Sequence, residues 1–439
     1  MTFVRPARRV LIAAASMSAL FVAAACGGGG GGGAPQGGGT SAAAADFSKQ
    51  GDIEFWTGKD TSGNLPKAIQ KFNDSHPNGK VTLHELPEAA DQQRQQMIQN
   101  TQIKNPKMAV LNVDVVWTAE FAAKQYVEAL PPDQFPTDKF LKPTVDSATY
   151  FGKVYAYPHR SNGGLLFYRK DLLDKYNLQV PTTFDEMKAA CDKIIPGEKD
   201  SKLACFAGQY NKYEGLTVNF DEAVHGAGGV IVGDDGKPNV ATPEATKGLQ
   251  TLTDWFKNGQ IPKAAITWQE EQGRRAFQEG ELVFHRNWPY VYTTANKTDG
   301  SSQVAGKFDV APLPGITQPG VSSLGGGNLG IAKYAENKGT AADFLKFMAS
   351  EETQKQDTLA TSNAPALESL YTDPEIVKKF PYTPVLLKSI QTAKPRPKAV
   401  EYGDVTLAIQ DAAYGALQQQ TAPDAALQQL QSKLQTLIK

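Results

Sequence analysis

Short stretches of strand-like alternation and of helical spacing follow one another from residue 53 on, and this order narrows the possible folds more than any other feature. IEFW at 53–56 alternates as a strand, and Leu65, Ile69 and Phe72 lie at helical spacing behind Pro66. VTLHEL at 81–86 reads as a second strand, a polar helix runs through Gln92–Thr101, and VDVVW at 113–117 reads as a third strand. Strands that alternate with helices need crossover connections, so a parallel-rich α/β lobe is predicted. Farther along, Thr242-Pro243 opens a helix with Leu249, Leu252, Trp255 and Phe256 on one face and Gly259 just past its end. Gln269–Gly280 is predicted helical and feeds a strand at 281–285. Thr340 with Asp343 starts a helix carrying Phe344, Leu345, Phe347 and Met348. The chain finishes in a helix over Asp424–Lys439 with Leu427, Leu430, Leu434 and Leu437 inward. No repeat of solenoid length interrupts this order. At 439 residues and 41% apolar content there is enough chain for two lobes, each with its own core.

The first 45 residues have a different character. Arg5, Arg8 and Arg9 precede the apolar run Val10–Ala25, which ends in small residues and is too short for a membrane-spanning helix, so 1–25 reads as a signal peptide. Cys26 follows Ala23-Ala24-Ala25 as in a lipobox, with Ala23 where that motif usually carries Leu, and lipidation at Cys26 is expected. Residues 26–45 form a Gly/Ala/Ser-rich tether without apolar pattern. The protein is therefore expected on the extracellular face of the cell membrane, held by lipid. In that oxidising setting Cys191 and Cys205 should form a disulfide, a structural staple worth roughly 3 kcal/mol for so short a loop.

The usual marks of catalysis are missing. The five histidines, His76, His84, His159, His225 and His285, include no HExxH, and neither a GxSxG nor a serine with a lysine three residues on occurs. Gly325–Gly327 is glycine-rich, but no lysine follows to make a phosphate loop, so it reads as a crossing between lobes or a close backbone approach. Glu270 and Glu271 are adjacent on a helix start and must point apart, so they are not a catalytic pair. No metal, cofactor or catalytic residue is assigned. Formal charge is −1, from 45 basic and 46 acidic residues without a basic stripe, and nucleic acid is not an expected partner.

One stretch asks for more than burial. FHRNWPYVY at 284–292 puts Trp288 just before Pro289, where the backbone leaves a strand, a position that favours binding over core, whereas Tyr290 and Tyr292 read as core. VDVVWTAEFA (113–122), GKVYAYP (152–158), GLLFYRKDLL (164–173), FQEG (277–280), FHRNWPY (284–290), GGGNLGIAK (325–333) and KPRP (394–397) occur in this order. Together they resemble the extracellular sugar-binding proteins of ABC importers, the trehalose/maltose-binding type especially.

The resemblance implies a type II periplasmic-binding fold, two α/β lobes with a ligand cleft between them. One lobe would comprise 46–160 with 309–356, the other 161–308 with 357–439. It implies a monomer that closes on a sugar, an α-linked disaccharide such as trehalose or maltose, and delivers it to ABC permease subunits. Asp114 would accept sugar hydroxyl protons, Asn162 would recognise hydroxyls where relatives often carry Asp, Trp288 would stack on the sugar, and Arg396 between Pro395 and Pro397 would clamp vicinal hydroxyls. Asp60, Arg94 and Glu270 or Glu271 are further candidates, each equally readable as solvated surface. Gly327 stands where relatives often place Trp, which would leave the cleft wider. A secreted glycoside hydrolase and a receptor of the same fold for another polar solute are the alternatives.

Overall fold

The computed structural model describes residues 45–438. Apart from a small hairpin at 149–154, its strands are β1 (Ile53–Gly58), β2 (Val81–Leu86), β3 (Met108–Asp114), β4 (Tyr157–Gly163), β5 (Leu165–Tyr168), β6 (Ala204–Ala207), β7 (Leu282–Asn287), β8 (Asp309–Ala311) and β9 (Leu324–Ile331). They form two sheets, one in the order β2-β1-β3-β9-β4, the other in the order β8-β5-β7-β6. In the first, β1 pairs in parallel with β2 and β3, and helices Leu65–Ser75 and Ala90–Gln102 make the crossovers that parallel pairing demands. β9 then inserts antiparallel between β3 and β4. In the second sheet only β6 and β7 are parallel.

The sequence pattern explains the elements. Leu65, Ile69 and Phe72 are the buried residues of their helix, and Phe72 meets Phe344 edge to face with centroids 5.1 Å apart. Thr242 caps the helix Pro243–Lys257 by accepting from the Ala245 N–H at 3.2 Å, and Leu249, Leu252, Trp255 and Phe256 are buried. β7 is buried along its whole length. Within it the His285 Nδ1–H donates to the Ala207 carbonyl at 3.0 Å, while Nε2 accepts from the Asn287 amide at 2.9 Å. Cys191, on the helix Phe184–Glu198, is bonded to Cys205 on β6, as expected.

Three boundaries differ from the sequence reading. The strand expected over 113–117 ends at Asp114, because the Val116 N–H turns back to Asp114 Oδ1 at 3.2 Å and the Trp117 N–H to its carbonyl at 3.0 Å. Asp309–Ala311, expected in the first lobe, pairs with Leu166–Tyr168 in the second sheet. The segment after 357, expected in the second lobe, first lies against the other one: Leu367 bridges Phe140, Pro365 bridges Arg160, and helix Thr383–Thr392 packs on β4. Only beyond Lys394, which bridges Ser323, does the chain reach helices Tyr402–Leu417 and Pro423–Leu437, packed on Glu214–Gly226 and Pro243–Lys257.

The crossings are tight. Only Gly164 separates β4 from β5, and a Cβ there would lie 2.7 Å from Arg286 Nη2 and 2.8 Å from Glu222 Oε1, so no larger residue fits without displacing that ion pair.

Candidate ligand cleft

Strand ends of the first sheet and helix starts of the second lobe face each other across a cleft of roughly 1140 Å³, its open mouth included. The first lobe contributes Asn112 and Asp114 at the end of β3, Asn162 on β4 and Gly325–Gly327 on β9. The second contributes Tyr213 and Glu214 at the start of helix Glu214–Gly226, Glu270 at the start of helix Glu270–Gln278, and Trp288 just after β7. A polar solute that meets strand ends and helix N-termini finds oriented backbone dipoles as well as side chains.

Arg396 ties the floor together. It is 2% exposed, and its Nη2 donates to Asp114 Oδ1 at 3.1 Å and to the Leu324 carbonyl at 3.2 Å, while Nη1 donates to Glu214 Oε1. Glu214 also accepts from the Tyr402 hydroxyl and, at 2.7 Å, from the Thr406 hydroxyl. Burial raises the Glu214 carboxyl to about 7 against the pull of Arg396, which is held charged. Glu214 is thereby occupied by the protein itself. Asp114 is not: Oδ1 takes Arg396 and the Val116 N–H, but Oδ2 has no partner among the described residues. Asn162 Oδ1 is buried and also unpartnered, an acceptor waiting for a donor.

Trp288 is half-buried, and its ring lies over the Arg286 guanidinium at 4.0 Å. Arg286 is in turn fixed by Glu222 at 2.8 Å through Nε and by Gln209 at 3.1 Å. The indole tip reaches β9, where a Cβ on Gly325 would stand 2.7 Å from it. Beside it Glu270 accepts the Tyr213 hydroxyl at 2.6 Å, and burial raises its carboxyl above the ordinary range. Glu271 points away and holds Arg274 at 2.6 Å and the Tyr290 hydroxyl at 2.7 Å.

Residues 67–382 match the family of bacterial extracellular solute-binding proteins. The chain belongs to that family. Within it this solute-binding protein is 32% identical over 370 residues to a probable ABC transporter-binding protein of Deinococcus radiodurans, covering 81% of this chain and 86% of the relative. It is 25% identical to the galactooligosaccharide-binding protein of Bacillus subtilis, over 82% of each chain. Among solved structures it resembles maltose-bound T. maritima MalE3 with a TM-score of 0.84 and 32% identity, over 88% of this chain and 99% of that one. The fold is the two-lobed one of the maltose-binding class, and the relatives are receptors of ABC importers, not enzymes.

Of the residues singled out from sequence, the solute-binding protein brings Asp114, Asn162, Glu270, Trp288, Gly327 and Arg396 to one cleft. Arg94 lies elsewhere, its Nε donating to the buried Glu120 at 2.7 Å. Glu271 belongs to the ion pair described above. Asp60 lines an adjoining compartment of roughly 710 Å³, but its carboxylate caps its own turn, accepting from the Ser62 N–H at 2.9 Å and the Leu65 N–H at 3.2 Å. Tyr290, expected in the core, lines that compartment too, whereas Tyr292 packs on Phe308, Phe380 and Tyr382 as expected. Gly327 does not leave a gap, because the Asn112 amide occupies the space a side chain there would need. Arg396 presents no free fork, its two Nη atoms already being engaged. Sequence reading missed Tyr213, Glu214 and Asn112, and no local motif marks them.

Proposed function

We propose that this receptor captures a sugar, an α-linked disaccharide such as trehalose or maltose, between its two lobes and passes it to the permease of an ABC importer. The observation that carries this reading is the pairing of Trp288, an aromatic face stiffened from behind by Arg286, with the open acceptors Asp114 Oδ2 and Asn162 Oδ1 in one cleft. Sugar rings offer C–H faces to the first and hydroxyl donors to the second. The solved relative at 32% identity holds maltose, and the Bacillus relative is named for galactooligosaccharides, which favours a saccharide over another polar solute. Glycoside hydrolysis has less support, since Glu214 is tied up by the Arg396 ion pair and two hydroxyl hydrogen bonds and Glu271 faces away.

The receptor works as a monomer, lipid-anchored through Cys26 after removal of residues 1–25, in this reading; those residues lie outside the described ones, among which no helix is long and apolar enough to cross a membrane. Titration calorimetry against trehalose, maltose, sucrose and longer α-glucans tests the sugar assignment. Binding of none of them, with tight binding of a non-saccharide solute, overturns it. Mass spectrometry of the mature N-terminus tests the anchor.

A further inference from the structure

Two helices that belong to different lobes meet head to head beside the cleft. Helix Ala90–Gln102 packs on the first sheet, while helix Glu214–Gly226 packs on the second lobe's helices Pro243–Lys257 and Tyr402–Leu417. Neither has a capping side chain of its own: Ala89 and Tyr213 hold the cap positions without a side-chain hydrogen bond. Both N-termini therefore present the positive ends of their dipoles at the same place without a side-chain cap from their own N-cap residues. One carboxylate serves both. Asp91 sits in the first turn of its own helix, and its Oδ2 accepts from the Glu214 N–H of the opposing helix at 2.8 Å, with the Gln410 amide 3.5 Å from Oδ1.

We propose that Asp91 is a positioning residue that raises the fraction of ligand-free protein in the closed arrangement, short of all of it, by capping the second-lobe helix from the first lobe. It does not line the cleft, yet the residue it fixes, Glu214, supports Arg396 and through it Asp114. Separation of the lobes carries Asp91 away with its own helix and leaves the start of helix Glu214–Gly226 without a capping carboxylate, so the cap favours the arrangement in which the two helix starts meet. A solute that binds the closed arrangement then meets a larger competent fraction, and its apparent dissociation constant is smaller by that fraction. This affinity effect rests on the sugar-receptor reading; the effect on lobe geometry does not.

The test compares the purified wild type with Asp91→Ala and Asp91→Asn. Small-angle scattering without ligand should show a larger radius of gyration for Asp91→Ala than for wild type, and saturating maltose should bring the two together. Maltose calorimetry should show about a tenfold weaker apparent affinity for Asp91→Ala, for a closed fraction lowered about tenfold. Asp91→Asn, which keeps an acceptor without the charge, should fall between. Unchanged ligand-free radius and unchanged affinity overturn the proposal, and so does a lowered melting temperature with both of those unchanged, the signature of a cap that only stabilises one helix. If Asp91→Ala does not fold, Asp91→Asn is judged by the same criteria. If the wild type binds no sugar, the receptor reading fails, and the ligand-free radii still decide on Asp91.

Discussion

Trp288 and Gly325 form a matched pair, since the indole tip occupies the space a β-carbon on Gly325 would take. Trp288→Ala should abolish most of the stabilisation by maltose, about 2.7 kcal/mol at a hundred times the dissociation constant, while the ligand-free melting temperature changes much less because the ring is only half-buried. Paired melting curves with and without maltose check this, and a steep ligand-free loss with normal affinity would defeat the stacking role. Gly325→Ala should push the indole from its seat and weaken maltose binding about tenfold, roughly 1.4 kcal/mol, without a comparable loss of melting temperature. The place of Trp288 at the cleft was legible because an aromatic before a proline at a strand end has few purely structural uses; its part in binding is the prediction above. Glu214 was not, since nothing in KYEGLT distinguishes a buried ion-pair partner from a first-turn acid on a solvated helix. The two neighbours Glu270 and Glu271 were legible as diverging but not as to which faces the cleft, because that depends on helix phase relative to a sheet the sequence does not show.

His285 on β7 titrates with a consequence for the whole strand. Its neutral form fits its partners, with the proton on Nδ1 for the Ala207 carbonyl and Nε2 accepting from Asn287, and burial, reinforced by Arg286 and Arg274, lowers its pKa to about 3. In the unfolded chain it titrates near the ordinary value of 6.5. Between those values only the unfolded chain takes up the proton, so the His285 contribution is intact above pH 6.5 and declines by about 1.4 kcal/mol per pH unit below it. The difference in urea midpoint between pH 7 and pH 5 should therefore shrink in His285→Gln. An equal difference in both proteins would refute the assignment. Replacing together by alanine Cys205 of the neighbouring strand β6 and its partner Cys191 on helix Phe184–Glu198 should cost about 3 kcal/mol in the same assay, the value for closing a loop of this length. Elements with strong periodicity, such as β2 and the helix from Pro243, were readable to within a residue or two. β3, expected over 113–117, was placed too far along the chain: it runs Met108–Asp114, and the Asx turn at Asp114 that ends it is a side-chain event hidden inside an apolar run.

At the scale of the whole molecule, saturating maltose should leave a scattering profile more compact than that of the free protein; an unchanged profile would contradict lobe closure as the means of capture. The alternation of elements made the α/β class legible, and the ordered family stretches made the two lobes legible. The exact traffic between lobes was not, because a three-residue strand such as Asp309–Ala311 carries too little pattern to declare its sheet. The crossings matter for more than topology. Glu222, which fixes Arg286 beneath Trp288, also accepts the Ser323 N–H at 3.1 Å, and Gly164 packs against both members of that ion pair. The seat under the indole is thus mounted on a segment where the chain crosses between the lobes. Points near a pivot sweep short arcs while the rim sweeps long ones, so if the lobes close about these crossings as proposed, a solute resting on Trp288 would stay almost still as the far wall swings in, like a coin on a hinge when the book is shut.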